Sequence, residues 1–240
     1  ELNLFLKLGE NAVIIGPNGS GKSTLLNLIN RTIYPIVKQD SYIKIFGKKN
    51  INIWELRSLI GFLNKDIELR IKPKAKILNV VLSGYLGKIE ISSSEAKRIS
   101  HKQKDAFNLL EKFDLINHAS QDFSSLSDGQ KRKLILARSL INNPKVLVLD
   151  EPTTNLDIKS KYSLTTLLNK LKIDGITILQ VTHDISSINS YDDKVILLKD
   201  FKIVASGSPI DILTSDNISK LFDTNLEVVN NDNFWQIIQK

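Results

Sequence analysis

Residues 16–24 read Gly16-Pro17-Asn18-Gly19-Ser20-Gly21-Lys22-Ser23-Thr24, a complete G-x-x-x-x-G-K-[ST] stretch. A phosphate group needs several hydrogen-bond donors and a positive charge delivered without steric bulk. Glycines at 16, 19 and 21 let the backbone curl so that its N–H groups converge on an anion. Lys22 is placed to reach the β- and γ-phosphates of a nucleotide, and the Ser23 hydroxyl can ligand Mg²⁺. The flanks agree. Ala12-Val13-Ile14-Ile15 is a short apolar run of the kind found in a buried parallel strand, and Leu25, Leu28 and Ile29 recur at helical spacing. The loop therefore joins a strand to a helix N-terminus, where the helix dipole favours negative charge.

The chain has 240 residues, 42% hydrophobic and 25% charged, enough to bury a sizeable core as one large domain or as one domain with an inserted subdomain. No apolar run approaches the ~18 residues of a membrane span. The absence of cysteine excludes disulfides and thiolate metal sites within the chain and is compatible with a cytosolic setting. The net charge is +7, but the lysines are scattered rather than blocked. This fits a solvated surface better than a nucleic-acid footprint, and no nucleic acid is expected as partner.

Leu2, Leu4, Leu6 and Leu8 alternate as a strand before a Gly9-Glu10-Asn11 turn, and Tyr42 to Lys49 alternates likewise, ending at Gly47. Together they predict a small antiparallel layer near the nucleotide end. Residues 76–141 carry helical spacing (Phe107, Leu110, Phe113; Leu134, Ala137, Ile141), with Ser92-Ser93-Ser94-Glu95 entering a helix. From residue 145 strands and helices alternate: Val146–Leu149, a helical face of Leu164, Leu167, Leu168 and Leu171, then Ile176–Val181 and Val195–Leu198. That alternation predicts an α/β fold, a mostly parallel sheet flanked by helices. The expected division is a nucleotide-binding core over 1–75 and 145–207, a helical subdomain over 76–144 and a C-terminal tail over 208–240.

A phosphate loop needs a carboxylate partner strand. The apolar run before Asp150-Glu151 supplies one, with both acids at its carboxyl end, where ligands bind in open α/β sheets. Asp150 suits the Mg²⁺ shell and Glu151 can polarise an attacking water. Leu126-Ser127-Asp128-Gly129-Gln130 presents a hydroxyl, a glycine N–H and a helix start, a second phosphate-binding surface; from the residues alone, a plain helix cap at Ser127 is the better reading. His183 follows the strand Ile176–Val181, at the same sheet edge as Asp150, where an imidazole can contact a γ-phosphate; taken alone, a single histidine there reads first as an ordinary core or surface residue. His101 and His118 read as ordinary core or surface histidines.

In this order the motifs resemble the ATP-binding cassette (ABC) ATPases, the nucleotide-binding subunits of ABC transporters, over nearly the whole chain. The resemblance makes Gly16–Thr24 the Walker A loop of a P-loop NTPase. Ser127, Gly129 and Gln130 become the signature motif, Asp150 and Glu151 the end of Walker B, Asp157 the dimer loop and His183 the switch histidine. It implies ATP and Mg²⁺ as cofactors, with Ser23 and Asp150 as metal residues and Glu151, His183 and Lys22 as catalytic. The implied assembly is a head-to-tail dimer, in which Ser127, Gly129 and Gln130 face the ATP of the other subunit. A separate transmembrane permease would hold the chain, cytoplasmic and peripheral, on the inner face of the membrane. The stretch Ile77–Gly84 resembles importers of metal chelates or oxyanions. Two features depart from the pattern. Lys65 occupies the position where the family has a Mg²⁺-ligating Gln, with Asn64 beside it. The aromatic residue that stacks on adenine is expected upstream of residue 1, with Phe5 read as a strand residue. A soluble, non-transport ABC ATPase of repair, translation or regulation is the competing class.

Overall fold

A computed structural model describes every residue except Glu1, Val37, Gln39, Asp40, Asn233 and Lys240, together with all side chains of the remainder but those of Lys65, Ser93 and Gln239. In chain order the elements are β1 (Ala12–Ile15), α1 (Lys22–Ile29), α2 (Ile53–Leu59), β2 (Ile60–Leu63), α3 (Lys65–Arg70), α4 (Ile77–Ser83), α5 (Ser93–Arg98), α6 (Gln103–Lys112), α7 (Asp128–Leu140), β3 (Val146–Asp150), α8 (Ile158–Ile173), β4 (Thr177–Thr182), β5 (Lys194–Lys199), β6 (Lys202–Gly207), α9 (Pro209–Ile212), α10 (Ser215–Phe222), β7 (Leu226–Asn231) and β8 (Phe234–Gln239). They divide between two units. One comprises Glu1–Leu56, Val148–Glu151 and Leu171–Lys240, the other Arg57–Leu147 and Pro152–Lys170.

In the first unit the strands lie in the order β3-β4-β1-β5-β6. β1 is flanked by parallel partners on both sides, Val13 standing opposite Gln180 of β4 and Val195 of β5. This is why all four of its residues are apolar and buried. β6 turns back antiparallel to β5 and alternates exposed and half-buried residues, as a one-sided edge strand does. Val13, Ile15, Val195 and Leu197 form a core with Ile212, Ile218, Leu221 and Trp235 from the C-terminal segment. A buried ion pair, Lys172 Nζ to Asp192 Oδ1 at 2.5 Å, ties the end of α8 to the loop before β5.

The expected antiparallel layer forms elsewhere than anticipated. Leu2, Leu4 and Leu6 are half-buried while Asn3, Phe5 and Lys7 are exposed, yet no strand forms there; Phe5 lends its carbonyl to Lys194 Nζ at 3.2 Å. Residues 42–49 hold only an isolated bridge between Ile45 and Lys48. Alternation records which side of a segment faces the protein, but a strand also requires a neighbour offering a ladder of backbone partners. The antiparallel pairing is instead β5 with β6, and β7 with β8 in the C-terminal hairpin.

In the second unit α4 packs against α6 and α7, and α6 against α7. Ile77, Val80–Leu82, Ala106, Leu110, Phe113 and Leu134–Ala137 are buried between them. α5 opens with a capping box in which the Ser92 hydroxyl and the Glu95 carboxylate reciprocate. No helix among the described residues is long and apolar enough to cross a membrane.

Candidate functional site

The loop from Gly16 to Gly21 connects β1 to α1, and its glycines are required for different reasons. Gly19 and Gly21 have φ of 82° and 103°, the left-handed region that disfavours side chains. Gly16 is held by crowding instead: a Cβ there would run into the Leu198 carbonyl oxygen and lie 2.6 Å from Ser20 Oγ. Gly21 is the N-cap of α1 and contributes no side-chain cap, and the first turn carries no acid. The leading N–H groups of α1 thus keep their preference for an anion. Ser20 is 2% exposed, and its hydroxyl has no hydrogen-bond partner among the described residues.

Lys22 is buried at the start of α1. Its ammonium donates to the carbonyls of Gly16 at 2.6 Å and Pro17 at 2.8 Å. Burial pushes its pKa below the usual lysine value, while Glu151 and Asp150 pull it back up. Both acids stand at the end of β3. Glu151 leaves that strand with φ of 49°, strained for a residue with a side chain, and is fixed by its N–H donating to Val181 O at 2.9 Å. Its Oε1 lies 2.7 Å from His183 Nδ1. His183 follows β4, so an acid and an imidazole from the carboxyl ends of neighbouring strands meet beside the loop after β1. Lys22, Asp150, Glu151 and His183 are thus brought to one edge of one sheet, the edge where open α/β sheets hold ligands.

The other predicted positions belong to the second unit. Ser127 is the N-cap of α7 and forms a capping box with Gln130: its hydroxyl accepts the Gln130 N–H at 3.3 Å, and Gln130 Oε1 accepts the Ser127 N–H at 2.9 Å. The cap is therefore present, and the exposed hydroxyl and helix start remain available to a ligand as well. Gly129 is a glycine because of packing, not dihedral angle: a Cβ would collide with Ser160 Oγ and lie 2.8 Å from Ser160 Cβ. Ser160 in turn donates its hydroxyl to Asp157 Oδ2 at 2.7 Å and its N–H to Oδ1 at 2.9 Å. These donors hold the Asp157 carboxyl below the usual range, the Ser160 N–H most of all. His118 Nε2 stands 3.2 Å from Gln130 Nε2, and its Nδ1 2.9 Å from Gln121 Oε1. Nothing in the sequence flags this histidine, because its partner is set by how two helical segments fold together. Asn64 caps α3, its Oδ1 accepting the Ile67 N–H at 3.1 Å, so its amide oxygen already serves the helix. The side chain of Lys65 lies outside the described residues.

The class defined by the strand–loop–helix and the acidic sheet edge is a P-loop nucleotide-binding protein, and comparison with known proteins refines it. Residues 1–154 match the family pattern of the ABC transporter. An uncharacterized ABC transporter ATP-binding protein, YlmA of Bacillus subtilis (strain 168), is 31% identical over 92% of this chain and 83% of its own length. The phosphonates import ATP-binding protein PhnC 1 of Nostoc sp. is 32% identical over 91% and 84%. Among solved structures, an inward-facing putative metal-chelate type ABC transporter aligns with a TM-score of 0.78 at 26% identity, covering 99% of this chain and 90% of that one. The dimeric post-hydrolysis state of the ATP-binding cassette MJ0796 bound to ADP and Pi aligns at 0.65 and 32% identity, covering 86% and 88%. The chain belongs to the ABC transporter family. It is an ATP-binding subunit of such a transporter and an ATPase.

Proposed function

We propose that ATP lies with its β- and γ-phosphates in Gly16–Thr24 and is hydrolysed at the edge formed by Lys22, Glu151 and His183. The observation that carries this reading is the approach of Glu151 Oε1 to His183 Nδ1 at 2.7 Å, beside an ammonium that senses Glu151 and Asp150. The loop fits the nucleotide. It offers an uncapped helix start, two left-handed glycines, a buried lysine and a buried hydroxyl that has no partner among the described residues. Among the described residues no three His, Cys, Asp or Glu side chains gather as a metal cluster. Mg²⁺ would be held by the Ser23 hydroxyl and Asp150, together with phosphate oxygens. Mg²⁺ would supply charge neutralisation at the phosphates. Lys22 binds and orients the γ-phosphate. Glu151 accepts the proton of the attacking water at a carboxylate oxygen, and His183 holds that carboxylate in place.

Ser127, Gly129 and Gln130 are proposed to face the ATP of a second subunit, with Asp157 at the dimer loop. Support comes from the exposed hydroxyl and helix start of α7, and from a relative solved as a dimer. A permease partner, and a place at the inner face of the membrane, are proposed because the cassette CbiO1 from Clostridium perfringens, to which this chain aligns at a TM-score of 0.71 and 29% identity, is part of the complex cbiONQ. Import of a metal chelate or an oxyanion is supported by the metal-chelate type transporter and by the phosphonate importer subunit.

The test is calorimetric titration of Mg·ATP into Lys22→Ala. Removing one charge-assisted contact worth about 1.5–3 kcal/mol should weaken binding roughly 10- to 150-fold. Unchanged affinity would defeat the assignment of the loop.

A further inference from the structure

The turn between β5 and β6 touches the phosphate loop through a residue that neither motif includes. Lys199 pairs with Lys202, leaving Asp200 and Phe201 as a two-residue turn, and both have positive φ, 48° and 60°. That is the pattern of a type I′ turn, in which Asp suits the first central position and glycine the second. This chain places phenylalanine where glycine is favoured, in a conformation that side chains resist. Core packing does not account for it, because the residue is 60% exposed.

The contacts of Phe201 run to Ser20 and Gly21. The Phe201 N–H donates to the Ser20 carbonyl at 3.0 Å. The ring stands where a side chain on Gly21 would be: a Cβ there would lie 2.6 Å from Cδ1 and 3.2 Å from Cε1. Both contacts bear on one peptide unit. In a planar trans peptide the C=O and the following N–H point in opposite directions. Holding the Ser20 carbonyl toward the hairpin therefore turns the Gly21 N–H the other way. A glycine left to itself samples positive and negative φ with equal ease. The ring, packed where a Gly21 Cβ would stand, limits that freedom at the φ of 103° found there.

We infer that Phe201 is a positioning residue for ATP binding, a clamp from the β5–β6 turn that fixes the Ser20–Gly21 peptide so that the Gly21 N–H is preset for phosphate. The inference rests on Gly16–Thr24 being the phosphate loop. Phe201→Gly deletes the ring, keeps the turn N–H and suits the turn conformation, so thermal stability should be retained. Loss of preset geometry should raise the KM for Mg·ATP roughly three- to tenfold while kcat stays within about twofold. Hydrogen exchange at the Gly21 amide should accelerate, and Phe201→Tyr, which keeps the ring, should behave as the unaltered chain. An unchanged KM in Phe201→Gly overturns the inference. So does a variant in which stability, kcat and KM all deteriorate together, since that describes a merely structural residue. Lys22→Ala is run alongside. If it leaves ATP affinity intact, the loop assignment is at fault and the clamp falls with it; if it abolishes affinity while Phe201→Gly does not alter KM, the clamp alone is wrong.

Discussion

Glu151→Gln is expected to bind ATP as before and to hydrolyse it about 10²- to 10⁴-fold more slowly, the loss associated with removing a general base. The carboxamide matches the carboxylate in shape, and its oxygen or nitrogen can still meet His183 Nδ1, 2.7 Å away in the unaltered chain. The left-handed backbone at residue 151, held by the bond from its N–H to Val181 O at 2.9 Å, does not depend on the side-chain charge. What the substitution deletes is the ability to take a proton. Lys22 and the helix start of α1 remain to stabilise phosphate, so ATP should stay bound, and the dimer proposed above should accumulate. Single-turnover hydrolysis measures the first effect. Size-exclusion chromatography with and without ATP measures the second. A variant that turns over at the original rate would remove Glu151 from the role of base.

The second large effect is on stability. Lys172→Met should destabilise the fold by about 3–5 kcal/mol, because it strands a buried carboxylate without its counter-charge. The Lys172 and Asp192 side chains are 4% and 3% exposed, with Nζ and Oδ1 2.5 Å apart. Methionine keeps the apolar bulk, so the loss is electrostatic rather than a cavity. For a chain of this size that corresponds to a fall of roughly 6–20 °C in Tm. The effect carries a pH signature. Burial already pushes the Asp192 carboxyl above its usual pKa, with Lys172 pulling it back. Without Lys172 the folded-state pKa should rise further above the unfolded one. The variant is then least penalised when Asp192 is protonated in both states, and it loses stability as pH rises through the folded pKa. The gap between variant and unaltered chain should therefore be wide at neutral pH and narrow toward pH ~4. Replacing Asp192 by Asn in the same chain should recover most of the loss. Equal stability at neutral pH would show that water compensates the carboxylate.

Where function and backbone pattern coincide in a short stretch, the sequence is legible. Gly16–Thr24 between an apolar run and helical spacing announced β1, the loop and α1. The apolar runs ending at Asp150, Val181 and Leu198 announced β3, β4 and β5. The capping residues at Ser92 and Ser127 were visible because a cap is a local bargain between a side chain and the next turn. The alternation of Leu2, Leu4 and Leu6 was legible too, but only as sidedness; whether a partner strand stands alongside is decided by distant residues. The contacts that shape the candidate site and stabilise the fold are of that distant kind. Phe201 reaches Gly21 from 180 positions along the chain, His118 meets Gln130, Lys172 meets Asp192 and Gly129 nests on Ser160. None of these pairs has a spacing rule, since each depends on how separate segments come together in space. Phe201 alone left a trace, a Lys-Asp-Phe-Lys turn lacking the expected glycine.

Position 160 illustrates how little room such contacts leave for substitution. Its hydroxyl satisfies Asp157, and its Cβ is the surface on which Gly129 rests. Alanine would preserve the fit against the glycine and leave the exposed Asp157 oxygen to water in place of the hydroxyl. Threonine would preserve the donor and add a methyl group to an already crowded Cβ. Anything larger would push α7 outward. Two motifs thirty residues apart therefore share a single tolerance, so redesign of either one must treat residues 129, 157 and 160 as one unit of choice rather than three.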